Sequence, residues 1–167
     1  MTTKSMASEF EASVENDFRF LKADYGFECS GVRSVDEDPR DSYLLARFAR
    51  DHERIDVAWN EVAMSLSILV RLNNDELGRR ERYVYFEPFI EFLSKGKVLP
   101  IAPQLFPKMT MRSIEAVMRQ RSDAFKEGIS SRMASLAEKL REYLATIRTS
   151  STETIRAYHS WYETRTS

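Results

Sequence analysis

The stretch IDVAWNEVAMSLSILVRL, residues 55–72, alternates apolar and polar side chains over two successive runs. A period of two residues is typical of a β-strand with one buried face. In the first run Ile55, Val57 and Trp59 fall on one side of the chain. The apolar series of the second run is Met64, Leu66, Ile68, Val70 and Leu72, while Leu69 falls among the polar positions. The stretch therefore predicts two neighbouring strands that face a common core.

Two further strands are predicted upstream of this pair. FECSGVR (27–33) and YLLARF (43–48) have the same period, and DEDPRD (36–41) supplies the turn residues between them. Short loops join all these runs, whereas parallel pairing requires crossovers of about a dozen residues or more. We therefore expect an antiparallel meander. Cys29 shares a predicted face with Phe27, which favours a buried and unreactive thiol.

An amphipathic helix precedes the strands, within SEFEASVENDFRFLKADYG (8–26). Ser8 and Glu11 have the spacing of a capping box, which predicts the start of the helix. Gly26 stands where a left-handed residue commonly ends a helix. We expect this helix to cover the apolar face of the sheet. Its apolar stripe consists of Phe10, Val14, Phe18, Leu21 and Tyr25.

An aromatic run, YVYFEPFIEFL (83–93), follows the strands. Its first residues predict a fifth strand, and Pro88 is suited to the first position of a helix that Lys95 and Gly96 end. We expect the seam between sheet and helices to contain Phe86, Phe89 and Phe92. Tyr83 and Tyr85 alternate away from the buried positions, so their hydroxyl groups are expected to face water and to offer a partner surface.

The rest of the chain is a proline-rich connector followed by helices. KVLPIAPQLFPKM (97–109) is expected to pack Leu99, Ile101, Leu105 and Phe106 on the body. Thr110 can cap a helix that Gly128 interrupts, and two more helices are predicted after it. The expected apolar positions of these helices are Met111, Ile114, Val117, Met118 and Phe125, then Met133, Leu136, Leu140, Tyr143, Leu144 and Ile147, then Ile155, Tyr158, Trp161 and Tyr162.

These elements predict an α+β protein, in which an N-terminal helix packs on an antiparallel four- or five-stranded meander and a mainly helical C-terminal half follows. Residues 1–96 would hold the helix, the sheet and the short aromatic helix. Residues 97–109 would form the connector, and residues 110–167 a helical extension. We expect one compact unit, because 167 residues is an ordinary length for a single domain.

The charge is unevenly distributed along the chain. Residues 1–75 contain 9 Lys or Arg and 15 Asp or Glu, whereas residues 97–167 contain 12 and 7. Either each half meets a different partner or, as we favour, the two halves attract each other in the folded protein. No apolar run approaches the roughly 20 residues that cross a bilayer. Since the N-terminus is polar and Cys29 is the one cysteine, we expect a cytoplasmic protein.

No recognisable motif points to catalysis, a metal or a cofactor. The two histidines, His52 and His159, lack the spacing of metal ligands, and the chain has neither a serine nucleophile elbow nor a phosphate-binding glycine loop. Glu87 and Glu91 lie four residues apart, but the helix dipole alone favours acids at the start of a helix. The run DEDPRD lacks the ligand pattern of a calcium loop. We therefore expect a protein that is not an enzyme.

The segment from Phe18 to Leu72 resembles a known pattern, carried by FRFLKADYGFEC, YLLARFARDHERIDVAW and VAMSLSILVRL. It is similar to short bacterial α+β immunity proteins of polymorphic or contact-dependent toxin systems. The resemblance implies a cytoplasmic, stoichiometric inhibitor that binds one toxin domain, blocks its active site and has no catalytic residues. An acidic sheet half suits a basic toxin surface. The residues expected at this interface are Asp36, Glu37, Asp38, Asp41, Tyr83 and Tyr85.

Two alternatives belong to other functional classes. The first is a nucleic-acid-associated or regulatory module that binds phosphate through Arg112, Arg119 and Lys126, which share one helix face. Acidic residues interrupt that stripe, so a solvated face is favoured and nucleic acid is an unlikely partner. The second alternative is a scaffold that forms homodimers through its C-terminal helices.

Overall fold

The computed structural model describes residues 5–36, 42–100, 110–126 and 128–167. These residues form helices and strands in the order α1 (Met6–Asp17), α2 (Arg19–Tyr25), β1 (Glu28–Asp36), β2 (Ser42–Arg50), β3 (Glu53–Asn60), β4 (Ser65–Arg71), β5 (Tyr83–Tyr85), α3 (Phe86–Leu93), α4 (Met111–Ala124), α5 (Ser130–Arg148) and α6 (Thr152–Thr166). The α+β class and the mainly helical C-terminal half are confirmed.

The strands form a single antiparallel sheet in the order β1-β2-β3-β4-β5, which confirms the five-stranded meander. Ala46, Val57 and Ile68 lie side by side across its middle strands and are almost fully buried. These residues belong to the inner face of the sheet. They share one buried cluster with apolar side chains of all the helices that precede residue 97 and of the helices that follow residue 128.

The N-terminal helix differs from the prediction at its start and its middle. The capping-box prediction at Ser8 is wrong: Ser5 caps α1, and its hydroxyl accepts a hydrogen bond of 3.3 Å from the Ser8 amide. The helix starts earlier because Met6 packs against the core. A break at Phe18 then separates α1 from α2. Gly26 ends α2 in the left-handed conformation, as predicted, at φ +71°.

The predicted apolar stripe of the N-terminal helices is otherwise correct. Phe10, Phe18 and Leu21 are completely buried. The Phe18 ring lies 6.2 Å from that of Phe48 on β2, so the helical segment packs on the sheet through this pair. Burial of such a ring stabilises the fold by about 2 kcal/mol.

The prediction of a buried Cys29 is wrong, because the thiol is exposed. Strand β1 is an edge strand, and its register with β2 shifts between Cys29 and Val32. Gly31 lies in this bulge at φ +89°, a conformation that glycine adopts without strain. Cys29 precedes this shift and pairs with the buried Phe48. Its register therefore matches a core position, and the thiol is exposed at the edge of the sheet.

Helix α3 begins two residues before the predicted Pro88. Tyr85 is its N-cap, and Pro88 lies in the first turn, where its missing N–H removes no hydrogen bond. Phe86 and Phe89 are fully buried and Phe92 packs partly against the core, as the seam between sheet and helices requires. The chain then leaves the helix through left-handed residues at 95 and 96.

Helix α4 has most of the predicted buried face, since Val117 and Phe125 are buried and Ile114 and Met118 are half-buried. Thr110 caps it as expected, with its hydroxyl 3.2 Å from the Ser113 amide nitrogen. Met111 is 72% exposed, however, because the buried stripe follows Val117, Arg121 and Phe125 at four-residue spacing. In the connector Leu99 is 64% exposed instead of packed on the body. The remaining connector predictions, Ile101, Leu105 and Phe106, lie outside the described residues.

Ion pairs join the basic C-terminal part of the chain to the part before residue 97, and two of the acids involved, Asp24 and Glu53, belong to the acidic residues 1–75. Attraction between the two halves, the favoured interpretation of the charge distribution, stays a prediction. Arg148 on α5 makes two hydrogen bonds of 2.8 Å to the Glu53 carboxylate on β3. Four more pairs each join a base after residue 110 to an acid before residue 97: Lys139–Glu87, Arg141–Asp24, Arg156–Glu81 and Arg165–Glu91.

Candidate functional site

The outer face of the sheet carries a groove of about 440 Å³. None of the residues that line it belongs to the buried cluster, which occupies the inner face. Its floor includes Leu45, Ala58 and Leu69. Leu45 is only 5% exposed although it lies outside the main core, so the groove has a partly apolar base of its own.

The register of the strands places a polar row across this outer face. Arg47 pairs with Asp56, Asp56 pairs with Leu69, and Leu69 pairs with Tyr85. Because side chains opposite each other in neighbouring strands lie on the same face, the row runs from β2 to β5 along the groove. Arg33 joins it from the edge strand, opposite Leu45.

Asp56 is the centre of the row and is only 7% exposed. Its carboxylate accepts hydrogen bonds from Nε and Nη2 of Arg47 at 2.8 and 3.1 Å. Nε of Arg54 lies 3.2 Å from the same carboxylate. The hydrogen bond to Asp56 raises the pKa of Arg47. One buried carboxylate thus holds two guanidinium groups at the floor of the groove.

Sequence reasoning placed Asp56 on the outward face but missed this cluster. Asp56, Arg47 and Arg54 look like ordinary solvated residues when each strand is considered alone. The signal was the hairpin between β2 and β3, since a tight turn at Asp51 and His52 brings outward-facing residues of the two strands together. A cross-strand charge pair can be found in this way only when the register is known.

The two predicted partner-surface tyrosines both lie in β5 and point outward. Tyr85 is 44% exposed and lines the groove, and its ring centroid lies 5.7 Å from that of Tyr162 on α6. Tyr83 is half-buried, with the Arg54 guanidinium 5.3 Å from its ring centroid. Burial raises the pKa of Tyr162. Tyr85 therefore forms the aromatic end of the row, and Tyr83, which pairs with Arg71, lies beside the row.

The predicted acidic interface begins beside the groove. Asp36 is the exposed last residue of β1 and pairs with Ser42. The preceding pair, Val35 and Tyr43, lines the groove. The other three predicted acids, Glu37, Asp38 and Asp41, lie outside the described residues.

The predicted phosphate-binding residues lie elsewhere. Arg112, Arg119 and Lys126 are exposed on α4 and just beyond its end, and none of them lines the groove. Arg121, four residues before Phe125, is instead 6% exposed and donates a 3.0 Å hydrogen bond to the Ala63 carbonyl. Burial lowers the pKa of Arg121.

The two glutamates of α3 each lie next to a different base. Both are 8% exposed, but Glu87 lies 3.6 Å from the Lys139 ammonium and Glu91 lies 2.6 Å from the Arg165 guanidinium. His159 has its Nε2 2.9 Å from the Glu81 carbonyl oxygen. Within the described ranges, no group of three or more histidine, cysteine or acidic side chains is placed to hold a metal ion.

No helix in the described part of the chain combines the length and apolar character needed to span a bilayer. Comparison of the chain with family models, with curated proteins and with solved structures finds no match.

Proposed function

We propose that this chain is a non-catalytic protein-binding module that docks its partner on the outer face of the sheet. As the sequence resemblance implies, the module acts as an immunity-type inhibitor that occupies a toxin domain and blocks its active site. The groove of the outer face supports the proposal: an apolar floor is bordered by arginines and tyrosines. These two residue types are enriched among the residues that contribute most to protein–protein affinity.

The size of the sheet suggests how far the interface extends. Four strands of seven to nine residues and a fifth of three residues, spaced by about 4.8 Å, give a face of roughly 600 Å². A stable interface buries about 800 Å² on each partner. A partner centred on the groove therefore also contacts its surroundings, which include the exposed Asp36 at the end of β1. Such a partner presents a basic region to Asp36, as expected for a basic toxin.

The proposal is tested by purification of the tagged full chain from its own cell. We expect one toxin-like protein to co-purify in equimolar amount. The double variant Arg33→Glu, Tyr85→Ala should lose it, because both side chains face the groove. Arg112→Glu makes the same change of charge as Arg33→Glu on the exposed surface of α4 and should retain the partner.

The inhibitory role is tested with the captured protein. Its expression alone should stop growth, and co-expression of the wild-type chain should restore growth while the groove variant does not. A captured protein that is harmless when expressed alone, or one that binds the groove variant as well as the wild type, would overturn the proposal.

A further inference from the structure

We infer that the partner inserts an acidic segment into the groove and that the Arg47–Asp56–Arg54 cluster receives one of its carboxylates. This inference rests on the proposed function and specifies the chemistry of the segment that binds. It concerns the groove alone and is independent of the charge that meets Asp36.

The charge of the groove is the first argument. Its lining includes three arginines, Arg33, Arg47 and Arg54, against one aspartate. Asp56 neutralises one of the two guanidinium groups that it contacts, so the cluster retains a positive charge at a site where water is partly excluded. A carboxylate from a partner is the group that complements this surplus.

The donors of the cluster are held in place before a ligand arrives. Arg47 uses Nε and one Nη2 hydrogen toward Asp56, and Arg54 uses Nε. Each guanidinium has five N–H donors, so both arginines retain donors that Asp56 does not use. Their side chains remain about one-third exposed, at 33% and 29%. The Tyr83 ring further restrains Arg54, which lowers the entropy lost on binding.

The groove also defines a second contact. Arg47 and Asp56 lie on β2 and β3, whereas Leu69 and Tyr85 lie on β4 and β5 of the same row. The midpoint between β2 and β3 lies two strand spacings, or about 10 Å, from the midpoint between β4 and β5. A segment that fits the groove carries an acidic side chain for the arginine cluster and, separated from it by this distance, an apolar or aromatic side chain for Leu69 and Tyr85.

A protein segment fits this groove better than a nucleic acid strand. Single-stranded nucleic acid is held by successive bases that stack on several aromatic rings, along a track of cations. Of the tyrosines on the outer face, Tyr85 is exposed, while Tyr43 and Tyr83 are half-buried. Two of the three arginines, Arg47 and Arg54, converge on one carboxylate instead of forming a track.

The inference is tested by fluorescence anisotropy with the full chain and labelled probes. The probes are a glutamate–tyrosine copolymer, a lysine–tyrosine copolymer and a single-stranded oligothymidylate. We expect the glutamate–tyrosine copolymer to bind and the other two to bind weakly. Arg54→Gln should reduce that affinity about tenfold, equivalent to about 1.4 kcal/mol. Arg54→Lys should show an intermediate loss, because it keeps the charge but not the planar fork.

Two controls separate binding from folding. Arg33→Gln changes an exposed side chain of the groove and should weaken binding severalfold without affecting the melting temperature. Arg112→Gln removes an arginine from α4, away from the groove, and should leave the affinity unchanged. Equal affinity of Arg54→Gln and the wild type, or absence of copolymer binding, would overturn the inference. Tighter binding of oligothymidylate, lost in Arg54→Gln, would overturn it in favour of nucleic acid.

The inference and the proposed function fail in different ways. A captured toxin that still binds Arg54→Gln but not the Arg33, Tyr85 double variant supports the proposed function and overturns the carboxylate contact. If copolymer binding depends on Arg54 but no toxin is among the captured proteins, the carboxylate contact is supported and the proposed inhibition of a toxin is overturned.

Discussion

At the scale of single residues, Asp56 connects the stability of the sheet to its outer surface. We expect Asp56→Ala to lower the free energy of unfolding by about 2 kcal/mol, because hydrogen bonds to a buried charged group are lost and two guanidinium groups are left without their carboxylate. Urea unfolding followed by circular dichroism measures the change. Arg33→Ala, on the same face but exposed, should alter it by less than about 0.5 kcal/mol. Equal effects of the two variants would contradict the role of Asp56.

Tyr158 is the second residue with a distinct expected effect. Its hydroxyl is buried among aromatic rings, interacts with the Tyr85 backbone and makes no well-aligned hydrogen bond within the described residues. Burial raises the pKa of Tyr158. The folded protein therefore resists loss of this proton, whereas the unfolded chain loses it near pH 10. Stability associated with Tyr158 is complete below that pH and is lost as the pH rises above it.

Tyr158→Phe should remove much of this alkaline loss. At neutral pH the variant should be as stable as the wild type or more stable by up to about 1 kcal/mol, since an unsatisfied buried hydroxyl is removed and the ring is kept. Thermal melting at pH values on either side of about 10 measures both effects. An alkaline profile identical to that of the wild type would show that Tyr158 does not titrate on unfolding.

At the scale of elements, ion pairs hold α5 and α6 on the rest of the fold, and their burial differs. In the Arg148–Glu53 pair the side chains are 28% and 15% exposed, whereas those of Arg141–Asp24 are 62% and 55% exposed. We expect a double-mutant cycle to Ala to give a coupling energy of about 1 kcal/mol for the first pair and close to zero for the second. Chemical unfolding of the single and double variants supplies both values. Equal couplings would contradict this dependence on burial.

The elements also show which features a sequence can predict. The alternation in 55–72 and the helical stripe from Phe10 to Leu21 depend on local periodicity, so strand number and core residues were predictable. The first residues of elements were less predictable. Ser5, and not Ser8, caps α1 because Met6 packs against the core. The exposure of Cys29 depended on the place of its strand at the edge of the sheet.

The candidate site was predictable only where it depends on the periodicity of a single strand. Tyr85 was identifiable from alternation within its own strand. The Arg47–Asp56–Arg54 cluster depends instead on which residues of neighbouring strands lie opposite each other. That pairing is a tertiary property, set by the turn and by the apolar faces of both strands together.

At the scale of the whole molecule, the sheet and the C-terminal helices share one core. We expect a chain truncated after Gly96 to remain unfolded or to aggregate, because the inner face of the sheet loses the side chains of α5 and α6 that cover it. Near-ultraviolet circular dichroism and light scattering test this. A truncated chain that melts cooperatively as a monomer would show that residues 1–96 form an independent domain.

The shared core has a consequence for the timing of synthesis. The helices α5 and α6 follow the strands in the chain, and translation at about 5–20 residues per second takes roughly 4–14 s to add the 71 residues from 97 to 167. During that interval the newly made strands have only the helices before residue 97 to cover their apolar face. The residues of α5 and α6 must therefore be synthesised before the outer groove has a rigid support, so the binding proposed for this groove has to wait until α6 has been made.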